Sequence, residues 1–330
     1  MRILIVGGTG FLGKASSNAA IAAGHEVTVM TRSGAHVANG AATLIADREE
    51  PLPDLRGQFD AVIDTCAYAP DMVERLAAAI GAVHYVLVSS ISVYDDMSTP
   101  QFDETAHAPT ATEDDLALAA RAEPSLRATA EPYGASYGRL KRACEIAAHA
   151  AFAGQCTHIR LGLIVGPRDY TDRFTWWVRR CDQEGPLVVP GPATRNIQII
   201  DVRDAGAFLV KTAEERVCDT FHLTGQPITL QSMLDAIITA TGRKIDITYR
   251  PLAQFAEHGI RHWTDLPLIV PDNPAFAEML NVSTEKAQRA ELTIRPLAET
   301  VQAVLAHDRA DRNRPLICGM SADQEAAVRP

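Results

Sequence analysis

The chain of 330 residues has no C-x-x-C pair, no long apolar run and no excess of basic charge. Its six cysteines (Cys66, Cys144, Cys156, Cys181, Cys218 and Cys318) are scattered without regular spacing. That pattern excludes a zinc ribbon or a disulfide-framed scaffold, so reduced thiols and no metal are expected. The opening apolar stretch Ile3 to Val6 stops at Gly7. It is too short for a signal-peptide core or a spanning helix, and the reading is a cytoplasmic protein without membrane contact. A net charge of -10 gives no electrostatic footprint for a phosphate backbone, so nucleic acid is not an expected partner. No internal repeat is visible.

What is present is the composition of a soluble globular protein, 47% hydrophobic and 22% charged. The length exceeds that of a single ordinary core and points to two domains or one elaborated α/β unit. Short β-branched runs alternate with helical segments: Arg2 to Val6, Phe11 to Ala23, Glu26 to Met30, Ala42 to Ala46, Ala61 to Asp64, Met72 to Ile80, and Tyr85 to Ser89. This alternation predicts a doubly wound parallel sheet of the Rossmann type, whose nearly continuous apolar strands are covered on both faces. Residues 95–132 break the pattern with nine acids against two arginines and read as a solvated surface excursion, with a functional lid as the lesser alternative. Helical spacing resumes from Tyr133 to Ala153, and Cys156 to Val165 reads as one further strand ending at Gly166-Pro167. Helical pattern returns from Asp201 through Ala213, Lys244 to Tyr249 is strand-like, and the last twenty residues are expected to fray.

Directly after the first strand, Gly7-Gly8-Thr9-Gly10-Phe11-Leu12-Gly13 satisfies G-x-G-x-x-G at Gly8, Gly10 and Gly13 and leads into a helix. Glycines here allow a tight turn and close approach of backbone to a pyrophosphate, while the helix start offers free N–H donors; the alternative is that they only let helix and strand pack closely. Gly8 to Lys14 also fits a P-loop, but Ala15 stands where a magnesium-holding hydroxyl belongs. At the end of the second strand, where NAD sites place a carboxylate for the ribose, the chain has Thr31-Arg32-Ser33. Arg32 suits a 2'-phosphate, which favours NADP with NAD as the other option, or else it is an ordinary solvated side chain.

Tyr137 and Lys141 stand at i and i+4 on one predicted helical face. A nearby ammonium favours phenolate and draws the phenol toward the range a proton donor to a carbonyl needs. Tyr133 has no lysine four residues on and suits packing or substrate contact. Upstream, the strand Val86 to Ser89 runs into Ser90, Ser92 and Tyr94 at the carboxyl edge of the sheet, where open α/β folds bind ligands. A serine there can hydrogen-bond a reacting oxygen, or Ser89 and Ser90 satisfy turn backbone.

Together these residues make the chain resemble the extended short-chain dehydrogenase/reductases, in their NAD(P)-dependent epimerase/dehydratase branch. The resemblance spans roughly residues 1–310 and also takes in Asp47-Arg48, Arg160 leading into Gly166-Pro167-Arg168-Asp169, and Ile200 to Asp204. It implies that Asp47 contacts the adenine, with Arg48 beside it in the cofactor site. It implies also that Lys141 holds the nicotinamide ribose, Tyr137 is the acid/base and Ser90 holds the substrate oxygen. The missing acid near Thr31 departs from the NAD pattern, and the 95–132 segment is longer than the family carries there. Arg195 lies in a segment like the one that grips the diphosphate of nucleotide sugars, or is a surface residue.

The resulting expectation is an NADP-binding Rossmann domain over residues 1–166 with a return segment near 195–224. Residues 167–194 and 225–330 would form the substrate region, with Ser92, Tyr133, Arg173 and Arg195 toward a small-molecule substrate. NADPH-linked carbonyl reduction is the first functional reading and a nucleotide-sugar epimerase or dehydratase retaining its cofactor the second. A non-catalytic dinucleotide sensor is the third. The resemblance also allows a homodimer, since the Tyr-Lys helix often forms a dimer face in that family.

Overall fold

The computed structural model describes residues 1–329. Its first half runs β1 (Arg2–Val6), α1 (Phe11–Ala22), β2 (Glu26–Thr31), β3 (Ala42–Ile45), β4 (Ala61–Asp64), α2 (Pro70–Ile80), β5 (His84–Ser90), α3 (Glu113–Arg121), α4 (Tyr137–Ala151), β6 (Cys156–Leu161) and β7 (Leu163–Val165). The second half continues α5 (Arg173–Cys181), β8 (Gly185–Pro190), β9 (Asn196–Ile197), β10 (Ile199–Asp201), α6 (Val202–Glu214), β11 (Thr220–Leu223), β12 (Ile228–Thr229), α7 (Leu230–Thr241), β13 (Ile245–Arg250), α8 (Leu252–Glu257), α9 (Glu285–Arg289), α10 (Leu297–Ala310) and α11 (Ala322–Ala327).

Seven strands form one parallel sheet in the order β11-β6-β5-β4-β1-β2-β3. The chain winds outward from β1 through β2 and β3, then returns to the other side of β1 with β4. The strand order therefore reverses between β1 and β4, and a crevice opens beyond their carboxyl ends. Every residue of β4 and β5 is buried, because helices cover both faces. One core layer joins Ile3, Ile5, Val29 and Ile63 to Phe208 and Leu209 of α6. The opposite layer joins Leu4, Val62, Tyr85 and Leu87 to Leu76 of α2 and to Cys144 and Ala148 of α4. A separate core gathers Phe174, Trp177, Leu187, Val189, Leu234, Phe255, Val301 and Met320 around α5, α7 and α10.

Three sequence expectations are corrected. The run Cys156 to Val165 is not one strand: β6 stays in the main sheet, while β7 pairs with β10 in a two-stranded sheet of its own. The division falls at Gly162, which packs closely on Thr224. The acidic segment is not a plain solvated excursion, because it contains α3 behind a reciprocal cap. Thr112 Oγ1 accepts from the Asp115 amide, while the Asp115 carboxylate accepts from the Thr112 amide at 2.9 Å. Asp115 also accepts from Arg139 Nε of α4 at 2.6 Å. The C-terminal stretch does not simply fray, since Met320 and Val328 are buried in the second core and the Arg314 guanidinium forks onto the buried Asp172 carboxylate.

Candidate active site

A cleft of about 430 Å³ lies over the carboxyl ends of β1, β4 and β5, where the change in strand order leaves room. Gly7, Thr9, Gly10, Phe11, Leu12 and Gly13 line it at one end, with Gly8 inside the same turn. The Gly10 amide donates to the Gly7 carbonyl at 3.0 Å, closing the turn immediately before α1. A side chain at Gly13 would collide with the Gly7 carbonyl oxygen, so the loop needs glycine there to bring the first turn of α1 against β1. Thr31, Arg32, Ala46, Asp47 and Glu49 supply the wall on the β2 and β3 side. Arg32 is exposed at this rim, and its Nη1 donates to the Ser125 carbonyl at 3.4 Å.

Asp47 lines the cleft and uses Oδ1 to accept from the Glu49 amide at 3.0 Å. Arg48 also borders the cleft, but its guanidinium is committed beneath the floor. It forks onto Asp64 at 2.9 Å per arm and donates to the Met72 carbonyl at 3.1 Å. Tyr85 Oη completes the Asp64 shell at 2.8 Å. Burial alone would raise the Asp64 pKa, yet the Arg48 charge and hydrogen bonds hold it below the usual carboxylate range. Arg48 thus supports the cofactor wall rather than offering a free cation to a ligand.

α4 places its chemistry by helical spacing. Leu140, Cys144, Ala147 and Ala148 bury one face, and Tyr137, Lys141 and Glu145 follow one another at single turns on an adjoining stripe. Tyr137 and Lys141 enter the cleft beside Ser89 and Ser90. Lys141 Nζ donates to the Ala67 carbonyl at 2.6 Å and the Val88 carbonyl at 2.5 Å and lies 4.9 Å from the Tyr68 ring centroid. Its burial pushes the ammonium pKa down. Burial pushes the Tyr137 phenol up, while the neighbouring Ser90 hydroxyl pulls it the other way. Burial therefore outweighs the downward pull that the helical spacing predicts from Lys141. Ser90 also accepts from the Ser92 amide at 3.1 Å, which fixes the strand end.

Glu145, the third member of the stripe, anchors the floor. It accepts from Ser89 Oγ at 2.6 Å and from Arg160 at 3.1 and 2.9 Å. Arg160 in turn reaches Tyr94 Oη at 2.5 Å, and Tyr94 meets His222 Nε2 at 2.6 Å. The Arg160 hydrogen bonds and charge overcome burial and hold Glu145 down to about 2.

Several residues assigned to substrate in the sequence lie elsewhere. Tyr133 is buried, stacks on Tyr68 at 6.0 Å and donates to the Arg127 carbonyl at 2.7 Å. Ser92 meets α4 through its backbone and is outside the cleft lining. Arg173 lies over the Trp263 ring at 4.7 Å. Arg195 lines a second hollow of about 270 Å³ with Pro192, Val270 and Leu280, where it pairs with Asp272 at 3.1 Å and donates to the Gly191 carbonyl at 3.0 Å. Conversely, Cys66, Tyr68, Pro124, Ala128 and Tyr170 line the main cleft and were not singled out. Tyr68 could have been sought just past the Asp64 strand end, and Tyr170 just past Gly166-Pro167. Pro124 and Ala128 carry no local signal.

A family model described as NAD dependent epimerase/dehydratase matches residues 3–221, which span β1 through the start of β11. The chain belongs to this family. The protein is thus an NAD(P)-dependent enzyme of the extended short-chain dehydrogenase type. A 2'-dehydrokanamycin reductase of Streptomyces kanamyceticus is 28% identical over 274 residues, covering 78% of this chain and 71% of the relative. Among solved structures, a putative epimerase from Burkholderia cenocepacia J2315 superposes with a TM-score of 0.66 at 20% identity, covering 94% of this chain and 98% of that one. A human epimerase family protein with NADPH superposes with a TM-score of 0.59 at 19% identity, covering 93% and 99%. Both structural likenesses concern the fold. The cleft fits a dinucleotide on its own geometry: a glycine turn without side chains at one end, charged wall residues beside it, and a buried lysine and a half-buried tyrosine at the other. Among the described residues no helix is long and apolar enough to cross a membrane, and no acid, histidine and cysteine group has metal-binding geometry.

Proposed function

We propose that the protein reduces a carbonyl group of a small molecule with NADPH, using Tyr137 as the proton donor. The observation that carries this reading is the convergence of Tyr137, Lys141 and Ser90 in the same cleft as the glycine turn. The 2'-dehydrokanamycin reductase relative supports the direction of chemistry, and Arg32 at the rim supports a 2'-phosphate. The glycine turn and the start of α1 would hold the pyrophosphate, Asp47 the adenosine and Lys141 the nicotinamide ribose. A bound dinucleotide supplies two-electron reduction of the carbonyl carbon. Ser90 orients the carbonyl oxygen, and Tyr137 Oη gives that oxygen its proton, leaving a phenolate that solvent reprotonates. Lys141, fixed by two carbonyls, holds a positive charge near that phenolate.

A nucleotide-sugar epimerase is the second reading, since Arg195 borders a hollow of its own. The two differ in stoichiometry, because a reductase consumes one NADPH per turnover while an epimerase shows no net oxidation. The test is titration with NADPH and with NADH by reduced-nicotinamide fluorescence, repeated with Arg32→Ala, followed by turnover on oxidised sugars and nucleotide sugars. NADPH is expected to bind more tightly, and the variant to lose about tenfold for NADPH alone. Equal affinity for both nucleotides would remove the NADPH assignment. Tight binding without turnover on any carbonyl would favour a sensor.

A further inference from the structure

The acidic segment crosses the cleft at the end where Asp47 and Glu49 lie, and it is fastened there by one buried side chain. Arg127 is 8% exposed and reaches two separate elements of the Rossmann unit. One arm of its guanidinium meets the Glu49 carboxylate, beyond β3, and the other forks onto Asp71, in the first turn of α2, at 2.9 and 2.8 Å. Arg75 shares both acids, at 2.8 Å from Glu49 and 3.0 Å from Asp71. The Arg127 carbonyl accepts from Tyr133 Oη, so the backbone is held as well as the side chain. The same stretch contributes Pro124 and Ala128 to the cleft lining and the Ser125 carbonyl to Arg32.

Glu49 is the informative partner. It lines the cleft, its Oε2 receives both arginines, and its Oε1 is buried without a hydrogen-bond partner. An unneutralised carboxylate here would face any phosphate-bearing adenosine with a like charge. Arg127 and Arg75 together offset the charges of Glu49 and Asp71, so that losing Arg127 leaves one net negative charge, and Arg127 also seats the wall formed by Pro124, Ser125 and Ala128.

Resting on the reading of the cleft as a dinucleotide site, we propose that residues 123–133 form a clamp over the adenosine end of the cofactor. In this clamp Arg127 is the positioning residue that sets selectivity for a 2'-phosphorylated nucleotide. It acts through Glu49, whose charge it masks, and through Ser125, whose carbonyl orients Arg32.

The experiment measures Kd for NADPH and NADH with the wild-type full chain, Arg127→Met, Glu49→Gln and the double variant, with thermal unfolding of each. Wild type is expected to prefer NADPH. Arg127→Met is expected to weaken NADPH by about tenfold or more, through the uncompensated carboxylate charge and the unseated Ser125 carbonyl beside Arg32, and NADH by much less. Adding Glu49→Gln is expected to restore most of the NADPH affinity, because it removes the one net negative charge that Arg75 alone leaves uncompensated. A structural role alone would lower the unfolding temperature and weaken both nucleotides equally, without rescue, and that result overturns the proposal. An unchanged NADPH-to-NADH ratio in a folded Arg127→Met protein does the same. If wild type binds neither nucleotide, the dinucleotide reading itself fails, which is a distinguishable outcome.

Discussion

Glu145→Gln is the most informative perturbation of the site's foundation, because it keeps the side chain's shape while exchanging the carboxylate for an uncharged amide. Glu145 is fully buried, accepts from Ser89 at the cleft floor and pairs with Arg160 through both arms of the guanidinium. Folding lowers its pKa from 4.5 to about 2, chiefly because hydrogen bonding and the charge of Arg160 overcome burial. A depression of that size corresponds to about 3 kcal/mol of stability at neutral pH. Removing one partner of a buried ion pair carries a similar cost, about 3–5 kcal/mol, so two independent arguments agree in scale. The sign follows from linkage: a carboxylate whose folded pKa is depressed stabilises above its unfolded pKa. That stability is lost as the pH falls from about 4.5 toward 2. Urea unfolding of wild type and Glu145→Gln at pH 7 should therefore differ by about 3 kcal/mol, with the gap narrowing by about 1 kcal/mol at pH 4. A gap at pH 7 below about 1 kcal/mol, or one that does not change with pH, would refute the claim that this ion pair anchors the floor.

Two substitutions address the chemistry itself. Tyr137→Phe removes the proposed proton donor and should lower turnover by about 100-fold or more while leaving nucleotide affinity unchanged; equal turnover in steady-state assays would reassign the acid. Gly138→Ala would drive a methyl group into the Ser92 carbonyl oxygen, where α4 crosses the end of β5. It should displace Ser90 relative to Tyr137 and cost about 100-fold in kcat with a smaller change in cofactor affinity, and full activity in that variant would show that this contact does not set the geometry.

How much of this could be read in advance follows from the range of each interaction. The β1, β2, β4 and β5 boundaries are legible to within a residue, because an apolar run in a covered sheet is nearly continuous, and Gly7 interrupts β1 at its turn. Tyr137 and Lys141 are legible because both lie on one helix, where spacing alone places them on a common face. Arg48 shows the limit. Its position beside Asp47 is readable, but the Asp64 carboxylate that captures it comes from another strand, and a cofactor contact became structural support. The contacts of Arg173 with Trp263 and of Arg195 with Asp272 are unreadable for the same reason, the partners being distant in sequence.

By itself, then, the sequence determined the winding of the sheet, the glycine turn and the helical pairing of Tyr137 with Lys141. These depend on local periodicity and on backbone freedom within a few residues. Tertiary structure alone decided which charges remain available to a ligand. It spends Arg48 on Asp64, Glu145 on Arg160 and Arg127 on Glu49 and Asp71, and it folds an acidic segment into a wall of the cleft. The physical reason is that a buried charge must find a counter-charge wherever the fold brings one near.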